Sequence, residues 1–340
     1  MKRDEKMCES YEPPFAMTED ITNLVIEIGE LAGTIGTYDS LNPDPVLRRA
    51  NRIRSIYSTL AIEQNTLSPD QVSAVLDGKR VLGPPQDIRE VKNAYEAYER
   101  GASLDPYSVK NLLLAHRIMM DGLVKEAGRF RSGNVGVYAG NQLIHAGTPA
   151  AYVQELVAQL FDWLKQSRLH PLVKSCIFHY EFEFIHPFAD GNGRTGRLWQ
   201  SLILQKWKPF FAWLPVESLI HEKQAGYYEA LNASNTEGSS TVFVTFMLEV
   251  IRDALAEIVR KQPEGPTGVR NVGINVGINA GTNEDKVLRL LTADPKLTAG
   301  AMALTLDLTQ RQVERILAGL KKSGRIVRHG ANRNGWWEVL

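Results

Sequence analysis

Residues 191 to 196 spell Gly-Asn-Gly-Arg-Thr-Gly, and few folds can use that string. Read as G-x-G-x-x-G, it would open the first helix of a dinucleotide-binding βαβ unit, which needs buried, Val/Ile-rich parallel strands repeated along the chain. Read another way, it bridges two helices, with Gly191 and Gly193 letting the backbone approach an anion at the N-terminus of the second. The flanking sequence decides between them. Tyr180-Glu-Phe-Glu-Phe-Ile alternates like a strand, yet Pro171 to Phe184 reads as a buried aromatic helix opened by Pro171, with Val173, Ile177, Phe178 and Phe182 available to a core. No series of Val/Ile-rich strands separates the helical segments. The dinucleotide reading is rejected in favour of helix, phosphate loop and second helix.

Helical periodicity dominates elsewhere. Residues 44–65 carry Leu47, Ile53, Ile56, Tyr57 and Leu60 at helical spacing, with Asp44 as N-cap and Pro45 at the first helical position. Residues 87–100 read as a charged, Tyr-bearing helix stopped by Gly101. Residues 108–120 and 151–167 repeat the pattern, the latter with Val153, Leu156, Val157, Leu160, Phe161 and Leu164 on one face. Between these two, residues 129–147 place short β-prone runs around Gly140-Asn141, the signal of a hairpin. From about residue 262 the composition turns to Pro, Gly and Asn, which reads as a linker. Beyond it, three helical segments precede residues 326–330, a polar turn at Ala331 to Asn334, and a strand from Trp336 that alternates one Trp inward and one outward. Three helices followed by a hairpin is the winged-helix order. The expected organisation is an N-terminal helical region at 1–110, a core at 111–260, a linker at 261–283 and a winged-helix domain at 284–340.

Chemistry concentrates in residues 186 to 197, His-Pro-Phe-Ala-Asp-Gly-Asn-Gly-Arg-Thr-Gly-Arg. Arg194 and Arg197, three apart on a helix, can both reach the oxygens of a triphosphate tail. Asp190 supplies a hard oxygen ligand suited to Mg²⁺ bridging phosphates. His186 can accept a hydroxyl proton near neutral pH. Base, metal ligand and anion clamp thus fall within twelve residues.

This dodecapeptide matches in full the H-x-F-x-[DE]-G-N-G-R-x-x-R signature, and over roughly residues 45 to 250 the chain resembles the Fic family. The resemblance implies a mainly α fold: a Fic-type helical bundle with a small β-hairpin flap, here joined to a C-terminal winged-helix domain. It implies transfer of AMP from ATP to a Ser, Thr or Tyr hydroxyl of a target protein, with Mg²⁺ held by Asp190 and His186 as the base. Gly191, Asn192 and Gly193 would bind the α-phosphate region, and Arg194 and Arg197 the β- and γ-phosphates. Phe188 would anchor the loop in the core. Arg129 to His145 falls where the family carries its flap, which positions the target by strand-like pairing. Tyr227, Tyr228 and Asn235 fall where the family lines its adenine and ribose pocket. Thr59-Leu-Ala-Ile-Glu63 fits the family's inhibitory [ST]-x-x-x-E-[GN] helix, whose Glu pairs with the second motif arginine. Gln64 departs from that pattern's final Gly or Asn, although Asn65 follows.

Other features narrow the alternatives. The 39 Lys and Arg balance 39 Asp and Glu, so no global basic surface points to nucleic acid or anionic lipid. No apolar run is long enough to span a membrane, and the N-terminus lacks a secretory core, which together imply a cytoplasmic protein. Cys8 and Cys176 form no disulfide framework, and Cys176 with His179 makes only half a zinc site, so packing is expected of both. The C-terminal end is locally basic through Arg311, Arg315, Lys321, Lys322, Arg325, Arg328 and Arg333. Its winged helix can dock a protein, including a second copy of this chain, or bind operator DNA, and protein association ranks first. The rival readings are a DNA-binding regulator and a related activity such as AMP removal or another nucleotidyl transfer.

Overall fold

In the computed structural model, which describes residues 11–41, 45–139, 142–261, 283–293, 295, 297–306, 309–329 and 336–339, the periodic segments form helices and further helices join them. Before residue 262 the order runs α1 (Glu19–Leu41), α2 (Pro45–Ile62), α3 (Pro69–Leu76), α4 (Pro85–Gly101), α5 (Val109–Met119), β1 (Gly136–Ala139), β2 (Gln142–Ala146), α6 (Ala150–Gln166), α7 (Pro171–Ile185), α8 (Asn192–Trp207), α9 (Val216–Glu222), α10 (Gln224–Glu237) and α11 (Thr241–Lys261). Beyond residue 282 come α12 (Asn283–Ala293), α13 (Ala299–Leu306), α14 (Gln310–Lys322), β3 (Ile326–His329) and β4 (Trp336–Val339). The chain divides into two compact units, residues 1–37 with 46–263 and residues 38–45 with 264–340.

The larger unit is built around α7. Apolar side chains on every face of a helix require enclosure, and α7 packs against α6, α8 and α11. Val173, Cys176, Ile177, Phe178 and Phe182 on it are fully buried. Phe178 meets Phe161 of α6 edge-on, with ring centroids 5.3 Å apart, the geometry that aromatic quadrupoles favour. A single core extends from Ile21 of α1 to Ile258 of α11. β1 and β2 pair antiparallel, Gly136 opposite Ala146 and Ala139 opposite Gln142, with an irregularity between Val137 and Tyr138. The Gly140-Asn141 turn expected of this hairpin lies outside the described residues, as do Asp44 and residues 262–282 of the expected linker.

The smaller unit has its own core of Val287, Leu291, Met302, Val313, Leu320, Ile326 and Trp337. Thr309 caps α14 through a capping box with Gln312. β3 and β4 pair antiparallel, Ile326 opposite Val339. Trp337 points into the core and Trp336 outward, the alternation expected of a strand. No described helix is long and apolar enough to cross a membrane.

One local expectation changes. Gly101 was expected to stop its helix, but α4 includes it. A Cβ there would lie 2.9 Å from Leu202 Cδ2, so α4 packs closely on α8 at this glycine and a larger residue would displace the Leu202 side chain.

Candidate active site

α7 and α8 meet through residues 186–191, and several buried contacts fix this loop. His186 caps α7 in the left-handed conformation, φ 52° and ψ 61°, a posture that costs a non-glycine residue about 1 kcal/mol or more. Gly191, φ 81°, leads into α8, and a Cβ on it would lie 2.5 Å from Met120 Sδ. Both conformation and space therefore require glycine there. Phe188 is fully buried and stacks on His116, centroids 3.6 Å apart. The Gly128 N–H donates to His116 Nδ1 at 2.9 Å, so the tautomer assigned from this network has Nε2 donating to the Asp190 carbonyl, also 2.9 Å away. Burial pushes the His116 pKa down to about 4, which keeps this brace neutral. Asn192 closes the loop: its Oδ1 accepts from the Phe188 N–H at 2.8 Å and its Nδ2 donates to the Phe188 carbonyl at 2.9 Å.

A buried arginine ties the flap to this loop. Arg131 Nε donates to the His186 carbonyl at 2.7 Å. Its two terminal nitrogens donate to the carbonyls of Gly133, Thr148 and Ile185. The Ile185 and His186 carbonyls lie at the C-terminal end of α7, where the helix dipole favours a cation.

The start of α8, whose first N–H groups have no acceptor within the helix, lies beside two arginines. Arg197, only 2 % exposed, donates from Nε to Thr59 Oγ1 at 2.9 Å and from one Nη to the Thr59 carbonyl at 3.0 Å. The same Nη donates to Glu63 Oε1 at 2.7 Å. Burial favours the neutral form of Glu63, but the Arg197 charge and hydrogen bond outweigh it, with help from Arg194 and His186, so its pKa is lowered. The Glu63 carboxylate lies over Gly193, where a Cβ would run into it. Arg194 lies 3.3 Å from Glu90 Oε1 and donates to Asp190 Oδ1 at 3.2 Å. Both arginines of the segment are therefore engaged by carboxylates. Gln64, directly after Glu63, has φ 67°. That left-handed conformation is the physical reason a Gly or Asn suits the position.

Asp190 is half exposed at the loop, and Gly191 N–H donates to its Oδ1 at 2.6 Å. Among the described residues no cluster of three His, Cys, Asp or Glu side chains could hold a metal. A lone exposed carboxylate still fits Mg²⁺, which binds through one or two carboxylates plus substrate phosphates.

A family model for the Fic/DOC family matches residues 106–204. The chain also superposes on the crystal structure of a Fic family protein from Desulfovibrio desulfuricans G20 with a TM-score of 0.75 and 43% identity, covering 97% of this chain and 98% of that one. The chain belongs to the Fic family. It is 30% identical over 69% of its length to the protein adenylyltransferase fic-1 of Caenorhabditis elegans, of which it covers 47%. It is 28% identical over 56% of its length to the protein adenylyltransferase Fic of Nematostella vectensis, of which it covers 45%. The chain thus spans less than half of these relatives. A solved fragment of the C. elegans protein superposes with a TM-score of 0.58 at 26% identity, over 71% of this chain and 72% of that fragment.

Within this Fic chain the expected site residues divide into three groups. His186, Asp190, Gly191, Asn192, Gly193, Arg194 and Arg197 lie on one loop and helix start, and Thr59 and Glu63 reach it from α2 and the turn that ends it. Tyr227 is buried, with its hydroxyl 3.2 Å from His179 Nε2, and half-exposed Tyr228 stands edge-on to it. Asn235 lies apart: it accepts from the Tyr180 hydroxyl at 3.0 Å, more than one turn of α7 before His186. Gln200 joins Cys176 and His179, its Oε1 accepting from His179 Nδ1 at 2.7 Å and its Nε2 donating to Cys176 Sγ at 3.4 Å. This half zinc pattern is therefore used in packing. Sequence reasoning missed Glu90, His116, Arg131 and Glu183. Only Glu183, three residues before His186 on the same helix, carried a local signal.

Proposed function

We propose that this Fic protein transfers AMP from ATP to a Ser, Thr or Tyr hydroxyl of a target protein or of itself, and that Glu63 holds it in check. The observation that carries the reading is the Glu63 carboxylate seated on Arg197 above Gly193, an anion already occupying an anion site. The name protein adenylyltransferase on the relatives supports the same reading.

The acceptor hydroxyl gives its proton to His186 while its oxygen bonds to the α-phosphorus of ATP. The bond from that phosphorus to the bridging oxygen breaks, and pyrophosphate leaves. His186 stands at the C-terminal end of α7, where the helix dipole favours the imidazolium that forms when it takes the proton. The N–H groups of Asn192 and Gly193 face the α-phosphate, since the Asn192 side chain is committed to Phe188. Arg194 and Arg197 hold the β- and γ-phosphates, which requires Glu63 to leave Arg197. Asp190 holds Mg²⁺, whose charge neutralises the phosphates when it is bound. Tyr227 and Tyr228 border the nucleoside side, and Asn235 contributes there only through Tyr180. In the two-stranded flap β1 and β2 pair with each other alone among the described residues, which leaves an edge for an extended target segment.

The smaller unit reads as a winged-helix module for protein association. Trp336, 40 % exposed, stacks on His329 with centroids 4.4 Å apart and offers an aromatic contact.

Incubation with α-labelled or γ-labelled ATP, a candidate lysate and Mg²⁺ tests the enzyme reading. Label retained on protein from the α position only, and lost in His186→Ala, is expected. Retention of γ-label that is lost in His186→Ala would identify phosphoryl transfer by this chain and refute the proposal.

A further inference from the structure

Glu183 lies on α7 one turn before His186, and its carboxyl is nearly buried. Its Oε1 is fully enclosed and has no hydrogen-bond partner, an uncommon state for a buried polar atom and one that needs a physical reason. Its oxygens lie 3.9 Å from His179 Nε2 and 4.0 Å from His186 Nδ1. Gly196 makes the space, because a Cβ there would stand 2.6 Å from Glu183 Oε1. An apolar side chain would fill this place at less cost than a carboxyl.

The charged and titratable groups facing Glu183 are few. His179 and His186 lie on its own helix, Arg197 on α8, Glu63 after α2, and Tyr227 and Tyr228 on α10. Burial pushes the His179 pKa down to about 3, and its Nδ1 is engaged by Gln200, so it stays neutral. Arg197 is committed to Glu63 and Thr59. His186 is therefore the neighbour on which a positive charge would appear during turnover.

We propose that Glu183 is a positioning residue: its main-chain carbonyl, 3.3 Å from His186 Nδ1, orients the ring, and its carboxyl, 4.0 Å from the same nitrogen, stabilises the imidazolium formed when Nε2 takes the acceptor proton. The inference rests on the reading of His186 as the base. One O–H bond breaks at the acceptor, one N–H bond forms at Nε2, and Glu183 exchanges no proton with either. Burial pushes the Glu183 carboxyl up to about 8, with Arg197 lowering it and Glu63 raising it. Above that pH the imidazolium faces a carboxylate 4.0 Å away; below it, only a neutral dipole. A unit charge at this distance supplies about fivefold in rate under fully aqueous screening and more under surface-like screening, so about tenfold lies at the low end.

The experiment has two arms on the full chain. In the first, the His186 ring is followed by NMR against pH, its resonance assigned by loss in His186→Ala. Wild type is expected to show an inflection near pH 8 that is absent from the isosteric Glu183→Gln. In the second, AMP transfer is measured against pH in the Glu63→Gly background. Glu183→Gln is expected to lower kcat about tenfold at alkaline pH, to leave KM for ATP unchanged and to flatten the rise, which in this background lies below pH 8 because Glu63 no longer raises the Glu183 carboxyl. An unchanged inflection and an unchanged pH profile in Glu183→Gln would overturn the proposal. Should Glu183→Gln fail to fold, Glu183→Asp takes its place: a displaced inflection supports the role and an unmoved one refutes it. Absence of transfer from both the wild type and Glu63→Gly would refute the enzyme reading alone, because the NMR arm still decides the part played by Glu183.

Discussion

Replacing Glu63 by Gln keeps the shape of the side chain and removes its charge, and the consequences follow from what Arg197 then lacks. Arg197 is nearly enclosed and keeps its two bonds to Thr59 but loses a charge-assisted bond of 2.7 Å. Such bonds contribute about 1.5–3 kcal/mol. Glu63 is 31 % exposed, so solvent screening lowers the figure to about 1–2 kcal/mol. The variant should be less stable than wild type by that amount, measured by urea denaturation at pH 7. The same interaction competes with phosphate for Arg197, so its loss should tighten ATP binding about 5- to 30-fold in calorimetry. The pH dependence has a definite sign. Because the folded-state pKa of Glu63 is lowered, its stabilisation is complete above the ordinary carboxylate range and disappears as pH falls through the folded value. The gap between wild type and Glu63→Gln should be constant around neutrality and close in acid. Equal stability and equal ATP affinity at pH 7 would refute the reasoning.

Three further outcomes are expected. Gln64→Gly, which relieves the left-handed strain at φ 67°, should raise unfolding free energy by about 0.5–1 kcal/mol, since release of strain exceeds the added freedom of the unfolded chain; a lower melting temperature would contradict this. Asn192→Ala leaves the Phe188 N–H and carbonyl without their side-chain partner and should cost about 1–3 kcal/mol, read by denaturation, together with weaker ATP binding as the loop loosens. Asp190→Ala should abolish the response of ATP binding to Mg²⁺ in titration calorimetry, and an unaltered Mg²⁺ response would assign the metal to another residue.

The parts of the site legible in the sequence are those where chemistry and spacing are local. Residues 186 to 197 carry their glycines, arginines and acid within one loop and the first two turns of one helix, and Thr59 and Glu63 sit one turn apart. Pro171 and the apolar run after it signalled the central helix. What could not be read was brought in by tertiary contact. Arg131 meets His186 across 55 residues and His116 meets Asp190 across 74, and neither has a spacing that announces it. α1 was hidden for a different reason. Gly29, Gly33 and Gly36 lower its helix propensity, and a Cβ at Gly29 or Gly33 would meet nothing. The burial of Ile21, Leu24, Ile28, Ala32 and Ile35 along one face outweighs that local preference. Gln64 shows the converse case, in which a departure from a family pattern marked the residue whose backbone is strained.

The central claim is that Glu63 occupies the place a phosphate needs on Arg197, and intact-mass measurement of AMP incorporation across an ATP titration tests it most directly. Wild type, Glu63→Gly, Arg197→Ala and the double variant are compared, each shown to be folded. The account predicts incorporation by Glu63→Gly well above wild type, little by Arg197→Ala, and no activation of Arg197→Ala on adding Glu63→Gly, a non-additive pair. Equal incorporation by wild type and Glu63→Gly at every ATP concentration would contradict it and leave Glu63 as a structural partner of Arg197.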